Sequence, residues 1–176
     1  MQRANVRPDA DDRLPVPVCQ ADRVPPVRSS GVLLYRVADG ELQVLLGHMG
    51  GPFWARKDDA AWSIPKGEHD PDEDGEAAAR REFAEELGHP VPAARLHPLG
   101  QVEGRKLLAV WAGEGDLDAG AITSNTFVLE WPPRSGRMQE FPEIDRAAWF
   151  DLGTARTKLV KAQLPFLDRL AAHLAD

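Results

Sequence analysis

The chain has 176 residues, with 28 acidic against 21 basic side chains and a formal net charge of −7. That length suits one domain with a sizeable core, and the acidic balance argues against a nucleic-acid polymer as partner, which needs a basic face. No apolar run approaches the roughly 18 residues of a membrane span, the first residues have no apolar signal core, and the lone Cys19 leaves no disulfide framework or cysteine metal cluster; together these point to a cytoplasmic protein with no membrane role.

Residues 1–29 hold Pro8, Pro15, Pro17, Pro25 and Pro26 among Arg and Asp. They show neither a helical nor a strand period, so they read as a flexible or extended arm, with residues 30–176 as a single domain. Gly31 to Val37 is a short apolar run and reads as a strand. Ala38-Asp39-Gly40 is a turn signal, and Glu41 to His48 is the hairpin partner. Residues 49–60 are loop-like, broken by Gly50, Gly51 and Pro52. Ala61 to Ile64 is a short strand stopped by Pro65. A helix is predicted over Gly75 to Leu87, with Asp74 as N-cap, Gly88 at the left-handed position beyond its end, and Pro90 following. Strand-like runs recur near 94–103, 105–112, 122–131 and 147–151. Residues 154–174 form a last helix whose Val160, Leu164, Leu167 and Leu170 share one face, with Pro165 expected to kink or split it.

The central helix carries an electrostatic conflict. Glu82, Glu85 and Glu86 stand at i, i+3 and i+4, which puts three carboxylates on one face. They repel one another, and Glu85 and Glu86 lie in the last turn, where the helix dipole disfavours anions. Each conflict costs roughly some tenths of a kcal/mol. Taken alone, such a run also suits a solvated acidic face offset by Arg80 and Arg81. A divalent cation reverses the sign of the cost, and hard oxygen donors suit Mg2+ or Mn2+.

The spacing around the helix narrows the choice. Gly67 is followed by Glu73, then Arg81-Glu82, Phe83, Glu85-Glu86 and Gly88. Seven fixed residues at background usage of about 5–7% each coincide by chance roughly once in 10⁸ to 10⁹ windows, which sets coincidence aside. The segment Gly67–Gly88 resembles the signature of the Nudix hydrolases; His89 stands where that family usually has an aliphatic residue. The resemblance implies an α+β fold, a mixed β-sheet between helices in an α/β/α sandwich. It also implies an enzyme cleaving a phosphoanhydride bond with Mg2+ or Mn2+. Carried over by position, Glu82, Glu85 and Glu86 are metal ligands and catalytic carboxylates, and the Gly67 carbonyl joins them. Glu73 pairs with Arg81 to hold the loop against the helix, while Ala79 and Phe83 face the core.

The general base is open between Glu85 and Glu86, with Glu140 and Glu143 as second candidates, because the family often adds an acid from a late loop. Candidate substrate contacts are Phe53, Trp54, Arg56 and Lys57 in the loop before the motif, and Lys66 beside Gly67. Arg105 and Lys106 read as solvated residues of a hairpin turn. His48, His69, His97 and His173 show no metal-ligand spacing. The run Trp62 to Gly67 resembles members acting on dinucleoside polyphosphates and diphosphoinositol phosphates. The stretch Glu103 to Lys106, however, lacks the tyrosine or proline that dinucleoside polyphosphate and ADP-ribose members carry there. The implied substrate is therefore a small phosphorylated molecule, a nucleoside di- or polyphosphate derivative first. A diphosphoinositol polyphosphate hydrolase and a non-catalytic nucleotide-sensing module are the alternatives, and a homodimer is compatible with all three.

Overall fold

The computed structural model describes residues 26–176. Its strands are β1 (Arg28–Ala38), β2 (Glu41–Met49), β3 (Trp62–Ser63), β4 (Lys66–His69), β5 (His97–Glu103), β6 (Leu107–Glu114), β7 (Thr126–Glu130), β8 (Met138–Pro142) and β9 (Ile144–Asp151). The helices are α1 (Gly75–Leu87), α2 (Leu152–Lys158) and α3 (Leu164–Ala175). Seven strands form one sheet along β3-β2-β1-β6-β5, with β4 also on β1 and β9 also on β2; β7 and β8 pair as a separate ribbon. β1 and β6 run parallel while the other pairs are antiparallel, so the sheet is mixed.

Side chains alternate across a strand, and the two central strands use the alternation to fill two cores. Val32 and Leu34 of β1 and Leu45 of β2 face α1, packing on Ala79, Phe83 and Leu87. Leu33, Tyr35, Val44 and Leu46 face the other way, onto Leu159, Phe166, Leu167 and Leu170 of the C-terminal segment. Burial on both faces is why these strands read as unbroken apolar runs rather than alternating ones. The α+β fold class holds, with helices on both faces of the sheet.

α1 forms over the residues its caps specify. The Asp74 side chain accepts from the Ala77 N–H, and Gly88 closes the helix at φ 73°. A side-chain cap of this kind contributes about 1 kcal/mol. At the C-terminus one helix is expected and two are found. Leu159 and Val160 leave the helical path to lie beside Trp62, with the Val160 N–H donating to the Trp62 carbonyl at 2.9 Å. Pro165 then sits in the first turn of α3, where no donor is required of it. Two short strands have no sequence signal. β4 is polar throughout and β8 ends in a proline, so neither shows apolar alternation. β1 begins at Arg28, inside the stretch read as an arm; residues 1–25 of that arm lie outside the described residues. No helix among the described residues is long and apolar enough to cross a membrane.

Candidate active site

The loop carrying β4 runs beneath α1, and glycine makes the approach close. A Cβ at Gly67 would lie 1.6 Å from Oε2 of Glu82, so only glycine lets that carboxylate settle on the backbone. One turn on, Oε2 of Glu86 accepts from the Lys66 N–H at 3.0 Å. Ser29 Oγ donates to the Gly67 carbonyl at 2.8 Å, fixing the loop from β1. Arg81 braces the other side. Its Nε and Nη2 each donate to Glu73 at 3.1 Å, and its Nη1 reaches Glu82 at 2.6 Å and Glu85 at 3.3 Å. Glu143 enters between β8 and β9. Its N–H donates to the Asn125 carbonyl at 2.8 Å, its carbonyl accepts from the Gly50 N–H at 2.9 Å, and the Asn125 N–H donates to the Glu85 carbonyl at 3.1 Å. These bonds stitch the late loop to the end of α1. Glu82, Glu86, Glu143, Lys66 and Gly67 thus line one cavity of about 960 Å³.

The carboxylates there are electrostatically unsettled. Burial, with Glu143 and Glu82 nearby, pushes Glu86 up to about 8 against the pull of Lys66. Burial also holds Glu82 above the ordinary carboxylate range, with Glu85 and Glu143 adding to it while Arg81 pulls the other way. Glu73, outside the cavity, is lowered by the hydrogen bonds from Arg81. Charge inside the cavity is under strain; charge in the bracing pair is settled.

A family model for the NUDIX domain matches residues 26–170. The chain belongs to the NUDIX family. A C. elegans Ap4A hydrolase solved as a binary complex is similar at 24% identity and a TM-score of 0.57, over 85% of this chain and 98% of that one. The NUDIX domain of Shewanella oneidensis NrtR, complexed with ADP ribose, is 18% identical with a TM-score of 0.53, over 85% and 88%. The MutT protein from Methanosarcina mazei Go1 is 20% identical with a TM-score of 0.52, over 85% and 96%. At these identities the neighbours show the fold. Family membership makes the chain a Nudix pyrophosphohydrolase.

Not every predicted site residue reaches the Nudix cavity. Lys66, Gly67, Glu82, Glu86 and Glu143 line it. Glu85 is turned to Arg81 and exposed. Glu140 hydrogen-bonds Thr126 on the β7–β8 ribbon. Phe53 packs edge-on to Trp131, with ring centroids 5.3 Å apart, and Lys57 Nζ sits 4.8 Å from the Trp54 ring centre. Neither they nor the exposed Arg56 line the cavity. In their place come Arg105 and Lys106: both are exposed on the β5–β6 turn, as expected of a solvated turn, and that turn carries them to the cavity, where Lys106 pairs with Glu68. Gln163 also lines it, from 100 residues away from its hydrogen-bond partner Ser63. The paired bases after Gly104 were the only sequence signal for the turn, and Gln163 offered none.

Among the described residues, no three acidic, histidine or cysteine side chains are already gathered as a ligand set. The donors nevertheless fit a hard divalent cation. Glu82 and Glu86 lie on one cavity with excess negative charge, and glycine opens the approach to Glu82. Gly67 lines the same cavity, its carbonyl accepting from Ser29 Oγ.

Proposed function

We propose that this chain is a Mg2+- or Mn2+-dependent pyrophosphohydrolase acting on a nucleoside di- or polyphosphate derivative. The observation that carries the reading is the meeting of Glu82, Glu86, Glu143 and Lys66 on one cavity. Glu82, Glu85, Glu86 and the Gly67 carbonyl would hold the cation. The chemistry it would supply there is charge neutralisation on the phosphate and a lowered pKa for an attacking water. Glu86, which lines the cavity beside Lys66, is the first candidate to take that water's proton. Glu85 is the next candidate among the motif carboxylates, and Glu143 the candidate from the late loop. Lys66 offers its ammonium to the phosphate beside Gly67. Ap4A and ADP ribose, named for two of the structural neighbours, support a substrate of nucleotide type.

The test is hydrolysis across a panel of nucleotide derivatives and a diphosphoinositol phosphate, with magnesium and with manganese, read by mass spectrometry for the bond that breaks. Turnover on a nucleotide member, lost by about 100-fold or more in Glu86→Gln, is the outcome expected. If Glu85→Gln and Glu86→Gln both leave turnover unchanged, the site is wrong. Turnover confined to the diphosphoinositol phosphate would replace the substrate class and keep the reaction.

A further inference from the structure

The cavity is poorly equipped to read a base. Its two uncharged polar side chains, Ser29 and Gln163, are buried and already hydrogen-bonded within the fold. Ser29 Oγ donates to the Gly67 carbonyl. The buried Gln163 uses both ends of its amide, Oε1 accepting from the Ile64 N–H at 2.8 Å and Nε2 donating to Ser63 Oγ at 3.0 Å. No aromatic side chain lines the cavity among the described residues, and residues 1–25 contain no Phe, Trp, Tyr or His that could add one. The apolar wall is aliphatic: Val27, Val102, Leu108 and Ala162. Such a wall covers any base about equally. Strong rejection needs a hydrogen-bonding group that the wrong base leaves unpaired.

The cavity is well equipped to read phosphate. Lys66 approaches from the metal loop, and the β5–β6 turn adds Arg105 and Lys106. Lys106 is drawn in by Glu68, next to Gly67. Arg105 is exposed and makes no ion pair among the described residues, and its planar fork matches phosphate oxygens two at a time. We infer, resting on the pyrophosphohydrolase reading above, that the Gly104–Lys106 turn is the specificity element. Arg105, with Lys106 and Lys66, grips the phosphate chain, and the enzyme selects substrates by the length and charge of that chain while passing over the base.

Calorimetric titration of the full chain with calcium as the divalent ion tests this. The ligands are inorganic pyrophosphate, inorganic tripolyphosphate and the four ribonucleoside triphosphates. Tripolyphosphate and all four nucleotides should bind within about threefold of one another, and pyrophosphate about tenfold more weakly. Arg105→Gln should weaken tripolyphosphate about tenfold. Arg95→Gln, exposed and outside the cavity, should leave it unchanged. One base binding more than tenfold tighter than the others overturns the inference. So does tripolyphosphate failing to bind, or Arg105→Gln binding it as wild type does. The turnover panel reports separately on the reaction. Hydrolysis with a strong base preference keeps the function and removes this inference. Chain-length-dependent binding without hydrolysis keeps the grip and removes the catalytic reading.

Discussion

Two regions crowd charge together and resolve it in opposite ways. At the end of α2, Lys158 reaches both Asp58 and, at 2.8 Å, Asp59; Asp58 also accepts from Trp62 Nε1 at 2.9 Å. Arg146 lies over the Trp62 ring. Hydrogen bonds from Lys158 and Trp62 hold Asp58 below the usual carboxylate range, and Asp58 and Asp59 hold Lys158 above its own. In the cavity beneath α1, Glu82, Glu86 and Glu143 line one space with Lys66, and Glu86 is pushed up to about 8 by burial. The first region is complete in itself and clamps the 49–60 loop to the last turn of α2. The second keeps more carboxyl groups than the bases beside them can settle, the state in which a bound cation adds most.

The largest break in that contrast should come from removing one charge at each place. Glu86→Gln should lower turnover by about 100-fold or more, while Asp58→Asn stays within about twofold of wild type, since exposed pairs contribute little. Steady-state kinetics with saturating manganese checks both. Gly67→Ala should come next. The new Cβ meets the Glu82 carboxylate, so the loop or the carboxylate must move. A stability loss of about 1–3 kcal/mol is expected, measured by denaturant unfolding, together with a fall in kcat.

The helix and its site are legible in the sequence because what makes them is local. Asp74, Gly88 and the i, i+3, i+4 carboxylates act within one helix, so spacing alone carries them. What pairs across the sheet is not legible in the same way. β4 is recruited by Arg28–Gly31 of β1 rather than by any apolar pattern of its own. The break after Lys158 comes from Trp62 pairing with Leu159 and Val160, about 100 residues away in sequence. Phe53 and Trp54 look like substrate contacts by composition, yet Trp131 and Lys57 already occupy them. Glu140 and Glu143 are alike in sequence, and only the turn from β8 into β9 sends one to the cavity and the other to the ribbon.

A pH experiment sharpens the contrast on metal-free protein. Glu86 binds its proton more tightly folded, at about 8, than at the ordinary value of 4.5 that the unfolded chain retains. Between those values the folded state holds the extra proton, so stability is fully present below about 4.5 and is lost as pH rises through about 8. In chelator at pH 8.5, Glu86→Gln should melt at least about 3 °C above wild type, with the gap closing toward pH 5. Equal melting temperatures across that range would remove the strained carboxylate. The smallest effect is reserved for Phe53→Ala, which should change kcat/KM by no more than about twofold. A tenfold loss would bring the aromatic loop into contact with substrate.

The most direct measurement is isothermal titration of Mn2+ into wild type, Glu82→Gln, Glu86→Gln and Asp58→Asn proteins, all shown to be folded. A cation site on the cavity carboxylates predicts binding by wild type and Asp58→Asn alike, and at least tenfold weaker binding by each cavity variant. Binding that survives both cavity substitutions unchanged, or that is lost on Asp58→Asn, would contradict it.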